Sequence, residues 1–416
     1  MGAGHAARWA AFVGPTWAEV DLDAIAANVR WVRGRLAPGV RLLAVVKADA
    51  YGHGAPEVAR VVLAEGADAL GVSTVAEGLA LREEGIGAPI LVLAPAASEE
   101  LPAALEAGLI LTVADLEGAR GLAGAAEALG VPARAHVKCD TGMGRYGFAW
   151  TELGARAEDL RRLEGAVRWE GVFTHMARGA DAAFTRCQLA RFLTAVDGAA
   201  ARGLRFPVRH AAASAALLAV PEAQLDMVRI GSLLYGECPA GLSAPGLRRA
   251  FALWSRVAQV RELPRGATVG YGAAWRARRP TRVATVPVGF ADGLGVQAAG
   301  RARRLAVRLR ALGRAVLEAL GLRPRTPRQG EVWWRDHRLR ILGRVAMQQV
   351  TVALGELPVR PGDVVAVHVP SVFASGQLAR LYLRDGVCVA ARRGRSSLAA
   401  PAPAPWPARP YGSEHV

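Results

Sequence analysis

Arg41–Gly54, RLLAVVKADAYGHG, reads as a short buried strand that stops at a lysine and passes into a polar, glycine-bearing turn. Lys47 therefore stands where a strand ends and a loop begins. Its residue type is informative in itself. Of the 52 lysines and arginines in the 416-residue chain, lysine occurs only at positions 47 and 138. Arginine serves wherever a positive charge suffices, but an amine that must shed its proton and form a Schiff base has to be lysine. Both lysines close apolar runs, AVVK and AHVK, which sets them apart from lysines on a solvated helix face.

Outward from this strand the same texture repeats. Short Val/Leu/Ile runs fall at 42–46, 69–73, 90–93, 109–113, 134–138, 169–174, 208–211 and 226–230, and all but the last lead into a helix-like stretch. Eight such runs, largely apolar as parallel strands buried on both faces are, suggest an α/β fold, a (β/α)8 TIM-like barrel; a doubly wound sheet is the alternative, for which a count of eight is less natural. From about Phe251 the pattern turns to alternation in WSRVAQVREL, TRVATVPVGF, RLRILGRVAMQQVTVAL and GDVVAVHV, which predicts a mostly β C-terminal domain. The expected limits are 17–245 for the barrel and 246–391 for the β domain, with a basic helical insertion at 300–330 and a disordered Ala/Pro-rich tail at 392–416.

Composition narrows the class. Hydrophobic residues make up 52% of the chain, which fits a packed globular protein. No run approaches the roughly 18 apolar residues of a membrane span, and the N-terminus lacks the apolar stretch of a secretory signal. A soluble cytoplasmic protein without a membrane partner is expected. Cys139, Cys187, Cys238 and Cys388 are scattered without a C-x-x-C pair, which fits a reducing compartment and predicts no metal site. The net charge of +16 would point to nucleic acid. However, nine arginines faced only by Glu318 lie within 300–330, so half of the excess belongs to one segment and a nucleic-acid partner is not expected.

Active sites of such barrels lie at the C-terminal ends of the strands. The first strand delivers Lys47 with Tyr51 four residues on. The fifth delivers Lys138, followed by Asp140 and Arg145, and the sixth delivers His175. The seventh is followed by His210 and Ser214, and the eighth ends in Arg229-Ile230-Gly231. Barrel phosphate sites are commonly built after strands seven and eight, where Ser214 and the backbone around Ile230 and Gly231 stand, with Tyr51 in reach from the first strand. An amine joined to a phosphate cradle suggests pyridoxal phosphate as cofactor.

The runs AVVKADAYGHG, KCDTGMGRYGF, FTHMA, VRIGSLLYG, VGYGAAW and VPVGFADG, in this order and followed by GRVAM, resemble the alanine racemase family of fold-type III pyridoxal-phosphate enzymes. The resemblance implies that Lys47 holds the cofactor and is one catalytic base. Tyr271 of VGYG would be the other, donated across the interface of a homodimer with shared active sites. It further implies a small amino-acid substrate and a role in supplying D-alanine for peptidoglycan. Tyr51, His175, Ser214, Ile230 and Gly231 would surround the cofactor, and Arg229 would face its pyridine nitrogen. Arg145 and Met347 would meet the substrate carboxylate, and Lys138 matches a position often carbamylated, where the modified lysine orients that arginine.

Departures from the family pattern bear on the substrate. Gln348 follows Met347 where Asp is usual, Ala213 replaces an Asn before Ser214, and the C-terminal Arg-Val-Pro-Arg region is absent. A racemase of broader specificity, for serine or larger amino acids, is thus the alternative within the class. A non-catalytic pyridoxal-phosphate protein would lack the β domain and Tyr271. A fold-type III decarboxylase would not present the Arg229-Ile230-Gly231 run.

Overall fold

The apolar runs become strands because each is buried on both faces. The computed structural model of the chain describes residues 10–296, 330–394 and 396–399. Two compact units result, Asp21–Ala250 and a second that joins Met1–Val20 to Phe251–Val416.

The first unit is a barrel. Its strands are β1 (Arg41–Val45), β2 (Ala69–Val72), β3 (Ile90–Val92), β4 (Ile110–Val113), β5 (Ala133–Asp140), β6 (Val167–Phe173), β7 (Val208–His210) and β8 (Met227–Ile230). They run in the order β8-β1-β2-β3-β4-β5-β6-β7, each pair parallel. Closure between β7 and β8 is nearly complete: the Arg209 amide donates to the Asp226 carboxylate at 2.7 Å, and the Arg229 amide donates to Ala212 O at 2.9 Å. Side-chain caps start the outer helices. Asp21 accepts from Ala24 N ahead of Leu22–Arg33, Asp115 accepts from Gly118 N ahead of Leu116–Leu129, and Asp181 accepts from Phe184 N ahead of Ala182–Ala200. Thr74 and Glu77 form a reciprocal capping box on Val75–Glu83.

The second unit is built on an antiparallel-rich sheet whose central strands include Val364–His368, Phe251–Arg256 and Thr16–Asp21. Trp17 and Trp254 are buried together there with Leu381 and Leu383. Two expectations change. The extended piece at Trp17 is a strand of this β sheet, paired Thr16↔Ser255 through Val20↔Phe251, so the barrel unit begins at Asp21. The chain also stays in strand beyond Arg392, as Val387–Arg393 pairs with Ser396–Ala399. Backbone pairing at a sheet edge needs no apolar pattern, which is why composition alone reads this stretch as tail. The basic insertion, apart from Gly330, and residues 400–416 lie outside the described residues. Among the described residues no helix is long and apolar enough to cross a membrane.

Candidate active site

Directly after β1 the backbone reverses its hand. Ala48, Asp49, Ala50 and Tyr51 all have φ between 51° and 55°, a left-handed turn made without glycine. Each such residue costs about 1–2 kcal/mol, so the surroundings must hold the turn. Glu77 does so from the first turn of the helix Val75–Glu83: Oε1 accepts from Ala48 N at 2.6 Å, and Oε2 accepts from Ser73 N at 2.6 Å. Asp49 accepts from Ala55 N at 2.8 Å at the far end. The buried Tyr235 hydroxyl donates to Val45 O at 2.9 Å and fixes the end of the strand.

The reversed turn brings Tyr51 against the loop after β8. A Cβ on Gly231 would come within 2.5 Å of the Tyr51 hydroxyl, so this close approach requires glycine. The Gly231 amide donates to Ser214 Oγ at 3.3 Å. Tyr51, Ser214 and Gly231 thereby form one hydroxyl- and amide-lined cradle on the side of the barrel formed by β7, β8 and β1.

This cradle is one wall of a cavity of about 300 Å³, lined also by Lys47, Lys138, Arg145, His175, Arg229 and Phe173. Eight of the residues selected from sequence therefore share one pocket within the barrel unit. No lining residue is acidic. Ile230 is buried in β8 and does not line the cavity. Tyr271 and Met347 lie in the β unit, 74% and 60% exposed. Tyr271 sits in a turn between the short paired strands Thr268–Val269 and Trp275–Arg276.

With cations and no acid, the pocket disfavours protonation. Burial, then Arg145, pulls the Lys47 amine below the usual lysine range, and Glu77 acts against them. Lys138 is only 2% exposed, and burial followed by Arg229 brings it down to about 7. It has no ion pair among the described residues: the Asp140 carboxylate instead accepts the amides of Gly142, Met143 and Gly144. The Lys138 Nζ lies 4.8 Å from the centre of the Phe173 ring. Burial and the neighbouring Arg229 hold His175 neutral, down at about 3. Arg229 is lowered by burial to about 9 and remains a cation at neutral pH. Its Nη2 donates to Thr174 O at 2.6 Å and its Nη1 to His210 Nδ1 at 3.0 Å, which fixes the guanidinium plane.

Residues 20–239 match the family described as alanine racemase, N-terminal domain, and residues 250–317 match alanine racemase, C-terminal domain. The chain belongs to the alanine racemase family. An alanine racemase from Symbiobacterium thermophilum is 41% identical over 358 residues, covering 85% of this chain and 87% of that one. Among solved structures, the alanine racemase of Clostridium difficile 630 superposes with a TM-score of 0.81 at 27% identity, covering 92% of this chain and 99% of that one. An alanine racemase from Bacillus anthracis with bound L-Ala-P gives a TM-score of 0.78 at 28% identity, covering 91% and 97%. The chain is accordingly an amino-acid racemase, an isomerase.

Around the racemase pocket the structure adds residues that the sequence reading passed over. Phe173 faces both Lys138 and Arg229, with the Arg229 Cζ 5.2 Å from the ring centre. Gln188 donates to Thr141 Oγ1 at 3.0 Å and accepts from Ala177 N at 2.8 Å, tying the loops that follow β5 and β6. Glu77 had a local signal, the Thr-x-x-Glu capping pattern at 74–77. Gln188 had none, because its partners come from two distant loops.

Proposed function

We propose that this racemase interconverts L- and D-alanine with pyridoxal phosphate, using Lys47 and Tyr271 as its two bases. The observation that carries this reading is the acid-free pocket in which Lys47, pulled toward neutrality, shares a wall with the Tyr51–Ser214–Gly231 cradle. The residues present fit the cofactor: the amine suits its aldehyde, the cradle its phosphate, and the fixed Arg229 guanidinium its ring nitrogen. When bound, the cofactor withdraws electron density from the substrate Cα and so acidifies the proton there. Arg229 has no proton to give up readily, which keeps the ring nitrogen unprotonated and disfavours transamination.

Arg145 is exposed at the cavity wall with no carboxylate partner among the described residues, and a guanidinium suits a bidentate grip on the substrate carboxylate. Met347, exposed in the β unit, is assigned to the substrate carboxylate by the family resemblance alone. Lys138 acts as a carbamate, since a buried amine near 7 that makes no ion pair among the described residues is partly neutral and nucleophilic. The carbamate would orient Arg145. Lys47 takes or returns the Cα proton on one face, and Tyr271 does so on the other. A tyrosine with a reference pKa of about 10 needs a neighbour to tune it, the part assigned to His175.

Tyr271 acts in trans, in a homodimer whose two subunits share their active sites. Its exposure supports this, as does its setting: Gly270 packs on the Arg344 backbone, while Phe290 N and Ala291 N donate to Ala346 O and Met347 O. Phe290 and Met347 are thereby neighbours on an exposed face. The product D-alanine would serve peptidoglycan synthesis in the cytoplasm, a compartment that suits the four free cysteines.

Solvent-deuterium exchange at Cα across a panel of L- and D-amino acids tests chemistry and substrate together. Alanine should exchange fastest in both forms, and Lys47→Arg should abolish exchange and the Schiff-base absorption alike. Tyr271→Phe should slow exchange from one enantiomer more than from the other. Equal, small effects on both would remove the two-base assignment.

A further inference from the structure

The other end of the barrel holds a second cavity, of about 480 Å³, lined by residues from the strand beginnings. Leu43, Leu91, Ile110, Val208 and Met227 give it apolar walls. Arg41, Arg134 and Arg168 also line it, together with Asp68 and Glu170. Both acids are already engaged. Glu170 accepts from Arg134 Nε at 2.8 Å and lies 3.5 Å from Arg168 Nε, and Asp68 accepts from Leu42 N at 2.7 Å and Arg33 at 2.9 Å. Among the described residues the Arg41 side chain makes no hydrogen bond and no ion pair within 4 Å; its charge acts at longer range on Asp226, whose carboxylate is held by Arg209.

One buried side chain reaches this cavity with a polar atom unused. His136 is 4% exposed and lines the cavity, and its Nδ1 lies 2.8 Å from His210 Nε2. His210 Nδ1 lies 3.0 Å from Arg229 Nη1. A guanidinium has no acceptor, so His210 Nδ1 must accept from it. Full burial keeps His210 neutral, which puts its proton on Nε2 and makes it the donor to His136. His136, held neutral at about 3 by burial and then by Arg134, Arg229 and Arg41, must in turn carry its proton on Nε2. That N–H has no acceptor among the described residues. The positive field that opposes a charge on His136 is the field in which a bound anion is favourable.

We propose that this cavity is a binding site for a small organic carboxylate with an apolar body. The carboxylate accepts from His136 Nε2–H and is neutralised by Arg41, and the body lies against Leu91, Ile110 and Met227. A volume of 480 Å³ falls within the usual range of small-molecule sites, about 300–1,000 Å³. The site is separate from the racemase pocket, since the two cavities share no lining residue.

Benzoate is the probe, with benzamide as its uncharged counterpart, titrated calorimetrically into the holoenzyme while alanine saturates the racemase pocket. One benzoate should bind per chain with alanine present, and benzamide should bind at least about tenfold more weakly, the loss expected for one charge-assisted hydrogen bond. Arg41→Gln should weaken benzoate binding about tenfold, and Ala69→Leu, which fills the wall, should abolish it. Both variants should keep parental racemase activity, which verifies that they fold. In 15N-histidine spectra benzoate should shift the ring signals of the His136–His210 pair. Displacement of benzoate by alanine, equal binding of benzamide, unchanged affinity in both variants, or no binding because the cavity holds only water would each overturn the proposal.

Discussion

Glu77→Ala should loosen the turn that presents Lys47, and the size of the effect follows from the geometry. Four residues at φ of 51–55° store roughly 4–8 kcal/mol of backbone strain at about 1–2 kcal/mol each. The Glu77 carboxylate accepts the amides of Ala48, Ser73 and Thr74 at 2.6, 2.6 and 3.3 Å. A hydrogen bond to a charged group contributes about 1.5–3 kcal/mol, but the Ala48 and Thr74 amides are exposed and water would replace part of it. A loss of about 2–4 kcal/mol is therefore expected for Ala, and about 1 kcal/mol for Gln, which keeps one acceptor. For a unit of this size that lowers Tm by roughly 5–15 °C for Ala, readable by calorimetry on the cofactor-free protein. Hydrogen exchange should quicken at residues 48–52. The second readout uses the rarity of lysine: after 13C-dimethylation only Lys47 and Lys138 give side-chain signals, and without Glu77 the Lys47 signal should titrate at lower pH. An unchanged Tm together with an unchanged Lys47 titration would refute the view that Glu77 holds this turn.

Other expectations follow from the same contacts. Gly231→Ala pushes the Tyr51 hydroxyl out of the cradle and should raise the dissociation constant for pyridoxal phosphate about tenfold, measured by cofactor fluorescence, with a stability loss of about 1–3 kcal/mol. His136 and His175 are held at about 3 against a reference of 6.5. The unfolded chain therefore binds more protons between those values, and stability falls as pH drops from 6.5 toward 3, by about 1.4 kcal/mol per pH unit for each histidine; urea midpoints across that range report it. In 13C-bicarbonate a single carbamate resonance should appear, vanish in Lys138→Gln and survive in Arg145→Gln. Trp17→Ala, emptying a buried position of the β unit, should cost about 3–5 kcal/mol in urea unfolding.

How far the fold was legible depends on how local its causes are. The eight barrel strands were readable because each carries its own apolar run, and strand ends then located Lys47, Lys138 and Arg229 without any contact being known. The left-handed turn was not readable, since Ala-Asp-Ala-Tyr contains none of the glycine that normally announces positive φ. The chain Arg229–His210–His136 was equally hidden: its members come from three strands, and only the barrel's curvature brings them together. Thr16–Asp21 looked like part of the barrel because the helix that follows belongs there, whereas its pairing partner, Phe251–Arg256, lies beyond the entire barrel sequence.

That strand gives the chain an order of events during synthesis. Trp17 and Val20 leave the ribosome first, yet the strand that covers them begins only at Phe251, after the whole of Asp21–Ala250 has emerged. At about 5–20 residues per second this is a delay on the order of 10–50 s, long enough for a barrel rich in sequence-local strand pairs to close. The two parts of the β unit must then pair across a stretch of chain that has already folded. A chain stopped before residue 251 would carry Thr16–Asp21 without the strand that pairs with it and leave Trp17 uncovered, a form suited to capture by chaperones.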